Sequence, residues 1–85
     1  MMTLDLNDLV EADPIFAHWR PPAPEGVEAC IDYLESIDVS QATGMSSGQL
    51  KHEVDSPVRH ADMLAAILWL ELPCKDTGRY LELTD

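Results

Sequence analysis

Residues Met63-Leu64-Ala65-Ala66-Ile67-Leu68-Trp69-Leu70 are apolar without interruption. A helix made from such a run has no polar face to show to water, so it must be covered on every side. Ser56-Pro57 supplies a cap followed by proline at a first helical position, and Pro73 forces an end. The expectation is a central buried helix within 56–72 with the rest of the chain wrapped around it; its last residues, LWLEL, read equally well as extended. The chain has 85 residues. That is one domain's worth, burying roughly 60–65% of the surface its unfolded form exposes. Hydrophobic residues make up 46%, which argues against disorder of the whole chain.

The wrapping elements can be placed by their periodicity. In 4–12, Leu6, Leu9 and Val10 stand at i, i+3, i+4, a short helix that must pack or fray. Residues 13–24 hold four of the six prolines and exclude regular α-helix, so an extended arm is expected. Ile15, Phe16 and Trp19 within it either pin the arm to the body or form a hook for a partner. In 25–37, Val27, Cys30, Ile31, Leu34 and Ile37 share one helical face. A loop or short turn leads to Gly44, and Ser46 or Ser47 then caps a helix that buries Leu50 and Val54. Residues 69–84 read as a hairpin, Leu-Glu-Leu before and Tyr80–Leu83 after the Lys75-Asp76-Thr77-Gly78 turn, with Gly78 at positive φ. The expected core is Val27, Ile31, Leu34, Leu50, Val54, Leu64, Ile67, Leu68 and Leu83. The fold class is mainly α with a C-terminal β-hairpin: an acidic N-terminal helix and Pro-rich arm over 1–24, then a small domain over 25–85.

Charge narrows the function. Sixteen Asp and Glu face five Lys and Arg, a net charge of −11. Residues 1–38 carry nine acids and one base, hence −8, and residues 39–85 carry seven acids and four bases, hence −3. Such a chain is unsuited to coating nucleic acid or docking on an anionic membrane. With an acidic start and no apolar run long enough to span a bilayer, the expected setting is cytoplasmic. Glu25, Glu28, Asp32 and Glu35 repeat the 3–4 spacing on the side of the 25–37 helix away from its apolar face, and Asp38 extends the stripe. No lysine or arginine relieves them. They form either a solvated face or a surface for a basic partner.

From Gly26 to Thr84 the order of elements resembles a winged helix-turn-helix domain. The resemblance rests on Thr43-Gly44-Met45-Ser46 with Leu50 four residues later, on the helix opened by Ser56-Pro57-Val58-Arg59-His60, and on the turn Lys75-Asp76-Thr77-Gly78-Arg79 where a wing tip would fall. It implies a DNA-binding transcriptional regulator, acting as a dimer. Ser56, Arg59 and His60 would stand at the groove-facing start of the recognition helix, and Lys75 and Arg79 on the wing. Asp55 and Asp62 stand among those bases, and phosphate contacts carry most DNA affinity.

The reading placed first is therefore a small acidic, non-catalytic protein-binding regulator, an inhibitor of the kind a phage or mobile element would use. Its partner would be a basic, nucleic-acid-handling protein. Glu25, Glu28, Asp32, Glu35 and Asp38 would occupy the lysines and arginines that otherwise hold phosphates, with Phe16 and Trp19 as the arm's contribution. A subunit of a larger assembly is the third reading. No catalytic, cofactor or metal site is expected: the chain has no P-loop, GxGxxG, GxSxG or CxxC, and His18, His52 and His60 lack zinc-ligand spacing.

Overall fold

A computed structural model describes residues 6–84. In chain order the elements are α1 (Leu6–Ala12), a 3₁₀ turn (Pro14–His18), α2 (Pro24–Ser36), a second 3₁₀ turn (Val39–Ala42), α3 (Ser47–Glu53), α4 (His60–Trp69), β1 (Cys74–Asp76) and β2 (Leu81–Leu83). The protein is mainly helical with a C-terminal antiparallel hairpin, in the register Cys74↔Leu83, Lys75↔Glu82 and Asp76↔Leu81. Among the described residues no helix is long and apolar enough to cross a membrane.

α4 is the centre. Every residue from Ala61 to Ile67 is buried, and α1, α2 and α3 all pack against it. Val27, Leu34, Leu50, Leu64, Ile67 and Leu83 are buried as expected, while Ile31, Val54 and Leu68 lie half-covered at the edge of the same cluster. Leu9 and Val10 of α1 are also partly buried against it, and the side chain of Leu6 lies outside the described residues. Ile15, Phe16, Cys30, Ala42, Met63 and Leu81 join them in the core.

Local chemistry explains the boundaries. α2 begins at Pro24, whose fixed φ suits a first helical turn. α3 opens with a capping box: the Gln49 N–H donates to Ser46 Oγ at 3.3 Å and the Ser46 N–H to Gln49 Oε1 at 2.9 Å. Helix was expected from Ser56-Pro57, but α4 starts four residues later, at His60. Ser56 and Pro57 are exposed and non-helical, because the cap is supplied from inside the helix: the Asp62 carboxylate accepts the Arg59 N–H at 2.7 Å.

The stretch Leu70-Glu71-Leu72 is likewise not a strand. It closes α4 with the Glu71 N–H on the Leu68 carbonyl (3.1 Å) and the Leu72 N–H on the Ile67 carbonyl (3.2 Å), a Schellman pattern that puts Glu71 at φ 53°. The hairpin strand starts after Pro73 instead. At its tip Gly78 has φ 101°, and its N–H donates to Asp76 Oδ1 at 2.7 Å. The segment before α3 joins the hairpin: the Gly44 N–H donates to the Leu83 carbonyl at 2.8 Å and the Leu83 N–H to the Met45 carbonyl at 3.0 Å, with Ser46 bridged to Glu82. The arm is not extended throughout, since Pro14–His18 forms a 3₁₀ turn capped by Asp13, which accepts the Ile15 N–H at 3.1 Å.

Two substitutions test this account by chemical denaturation. Ile67→Ala is expected to cost about 2–5 kcal/mol, as large-to-small changes in a closed core do; a loss below about 1 kcal/mol would remove α4 from the centre. Glu71→Gly is expected to stabilise by about 0.5–1 kcal/mol, because glycine adopts the left-handed conformation without the penalty of a Cβ.

Candidate functional site

The apolar residues of α2 face the core, so the helix turns its carboxylates outward. Glu25, Glu28, Asp32 and Glu35 are all exposed. Neighbours on one helical face lie about 5–6 Å apart, and α2 contains no basic residue. Folding adds two acids that local sequence does not connect to this stripe. A cleft of about 420 Å³ runs between α2 and the end of α3, and Asp32 and Tyr33 share it with Glu53 and Asp55. The Tyr33 phenol is pushed above its ordinary pKa, first by burial and then by the Glu53 carboxylate. Asp38 has a local task as well, since its carboxylate accepts from the Ser40 N–H (3.1 Å) and hydroxyl (2.6 Å) and caps the second 3₁₀ turn.

The arm residues behave differently from one another. Phe16 is 4% exposed, a core residue rather than an exposed hook. Trp19 is half-buried and stacks on His60, with ring centroids 3.9 Å apart and planes tilted by 32°. Its indole N–H donates to the Arg79 carbonyl. The stack continues inward: His60 Nε2 lies 2.7 Å from the hydroxyl of buried Ser47, which accepts the Leu81 N–H at 3.2 Å. Burial, then Lys51 and His52, push the His60 pKa below its ordinary value. His60 Nε2 and the Ser47 hydroxyl share one hydrogen bond, whose direction is set by the imidazole tautomer. Trp19, His60, Ser47 and Leu81 tie the arm to α4, α3 and β2 in one chain of contacts.

A second tie lies beside it. Buried Asp62 accepts the Ala23 N–H as well as that of Arg59, each at 2.7 Å, and the Arg59 guanidinium donates to the Pro21 carbonyl at 2.8 Å. A methyl group at position 26 would overlap the Asp62 carboxylate, so this close approach requires Gly26. The arm thus crosses the start of α4 and is fixed there by hydrogen bonds.

These contacts also locate the residues assigned to DNA by the winged-helix resemblance. Ser56 is exposed before α4, and Lys75 and Arg79 are exposed on the hairpin. Arg59 and His60 are engaged by the arm. Because Ala61–Ile67 are buried, only the first turn of α4 reaches the surface on that side.

The thiols are unsuited to nucleophilic chemistry. Cys30 is pushed up to about 12 by burial first and the Asp62 charge second, against a lowering by Lys51. Cys74 is raised by burial, then by Asp13 and Asp76. Both stay protonated at neutral pH. No group of His, Cys, Asp and Glu suited to holding a metal occurs among the described residues. Comparison with family models, curated proteins and solved structures gave no match.

Asp62→Asn is expected to lower stability by about 1–3 kcal/mol, because the buried amide has one oxygen where the carboxylate uses two, and its NH₂ would face one of the two N–H donors. Unchanged denaturation would show that the arm is held by other contacts. His60 sets a pH dependence with a definite sign. Its folded pKa lies below the ordinary value of 6.5, so the unfolded chain binds the proton more readily. Its contribution to stability is full above about 6.5 and is lost as pH falls from there through the folded pKa. Thermal melts across that window are expected to show a downward slope that His60→Gln reduces.

Proposed function

We propose that this chain is a small non-catalytic regulator that binds a basic protein, occupying the surface with which that partner handles nucleic acid. The observation that carries the reading is the unneutralised face of α2, where Glu25, Glu28, Asp32 and Glu35 are exposed in line on a helix without a base, and Asp32 is joined across a cleft by Glu53 and Asp55. Self-repulsion along such a face costs a few tenths of a kcal/mol per neighbouring pair. A partner's lysines and arginines would remove that cost and form charge-assisted hydrogen bonds of the kind they make to phosphate. Phe16 belongs to the core in this reading, and contact with the partner rests on the carboxylates.

The winged-helix reading of the fold draws support from the order α2, α3, α4, β1, β2 and from the bridge between the segment before α3 and β2. It does not carry DNA binding with it, because a fold hosts many functions and the enclosed α4 offers a groove little beyond its first turn.

The test is paired capture from a lysate of the native host, using the wild-type chain and Glu28→Lys/Asp32→Lys, followed by association kinetics with the captured protein. The double reversal is expected to slow association at least tenfold, and wild-type association to slow as salt rises, since surface charges steer encounter and are screened over ~10 Å at 0.1 M salt. Fold stability should be unchanged or slightly raised. A partner captured equally by both chains, with equal rates, would reduce the stripe to a solvated face.

A further inference from the structure

The cations of this acidic chain are not scattered. Arg20 from the arm, Lys51 from α3 and Arg59 from the start of α4 line a single cleft of about 380 Å³, together with Trp19, Val58, His60 and Ala61. They are three of the chain's five Lys and Arg, and among the described residues no carboxylate lines the cleft although the chain has 16. Three segments far apart in sequence are brought together there, and the arm ties described above hold them in place. Among the described residues the Arg59 guanidinium donates to the Pro21 carbonyl, and a guanidinium has five N–H donors in all. Burial first, then the charges of Lys51 and His52, disfavour protonation of His60 in the cleft wall.

We propose that this cleft is a binding site for a small phosphate monoester, its phosphoryl group among Arg20, Lys51 and Arg59 and its apolar body against Trp19 and Val58. A phosphate monoester carries about −1.5 to −2 at neutral pH and presents three acceptor oxygens, which suits three cations lining one cleft better than a monocarboxylate does. The cleft is also far larger than a bare ion needs, and its remaining walls are aromatic and aliphatic. The proposal is independent of the acidic face of α2, which lies on other residues.

The experiment is a titration of the full chain, followed by two-dimensional ¹H–¹⁵N NMR at constant pH and ionic strength, with phenyl phosphate as the probe. Trp19 and Trp69 give an internal comparison, because Trp69 is at the other end of α4. Phenyl phosphate is expected to shift the Trp19 indole resonance saturably and leave that of Trp69 unchanged. Inorganic phosphate should act at the same residues more weakly, and benzoate about tenfold more weakly than phenyl phosphate. Lys51→Gln and, separately, Arg20→Gln should each weaken phenyl phosphate by about tenfold; neither side chain takes part in the ties that hold the arm. Glu28→Lys/Asp32→Lys should leave it unchanged, so that the two sites fail or stand separately. Absence of a saturable shift, an equal response to benzoate, or undiminished binding by both single variants would overturn the proposal. A duplex oligonucleotide that shifts the same resonances at lower total phosphate would overturn the small-ligand assignment and make the cleft a contact for a nucleic-acid backbone.

Discussion

A helix with no polar face has to be covered on the side where its neighbours leave off, and in this fold the cover is a proline-rich strip of chain. Such a strip has few backbone N–H groups and cannot pair with a sheet, so it needs another means of attachment. The Asp62 carboxylate provides it. It lies where α2 and α4 both begin, accepts the N–H groups of Ala23 and Arg59, and places a negative charge near the positive ends of two helix dipoles. Gly26 is required by this approach, the late start of α4 follows from it, and the path of the arm over Trp19 and Pro21 is set beside it. The Asp62 carboxylate itself is buried, so a donor removed from it leaves an acceptor without water to replace it.

The same geometry sorts the charges. A net −11 works against compactness through self-repulsion, and the fold spreads part of it along α2, where the carboxylates keep their hydration. The bases gather around the arm instead. The surface therefore carries an acidic helix face and a basic cleft of opposite chemistry, and the two can bind different things without competing for the same residues.

Much of this was legible in the chain. The run Met63–Leu70 announced the central helix, the 3–4 spacing of Val27, Cys30, Ile31 and Leu34 gave α2 its inner face, and Gly78 marked the hairpin tip. What escaped sequence reasoning depends on partners distant in the chain. Ser56-Pro57 is a sound local start signal, but Asp62 reaches back to Arg59 and sets a later one. Leu70-Glu71-Leu72 alternates like a strand, yet the carbonyls left free at the end of α4 claim its N–H groups. Phe16 reads first as a pin for the arm and second as a hook for a partner, and its burial bears out the first. Glu53 and Asp55 joined Asp32 only through folding, as did Arg20, Lys51 and Arg59.

The burial of Ile15 and Phe16 together with the Asp62 tie has a consequence for how the chain can be divided. The stretch from Gly26 to Thr84 lacks the arm residues Ile15 and Phe16, which are buried in the same core. Cut before Pro24, the fragment would keep a carboxylate built into its interior with one of its two donors gone, and the core would lose Ile15 and Phe16. Residues 13–23 thus share buried side chains and hydrogen bonds with the rest of the chain, and a version shortened past them is expected to lose stability.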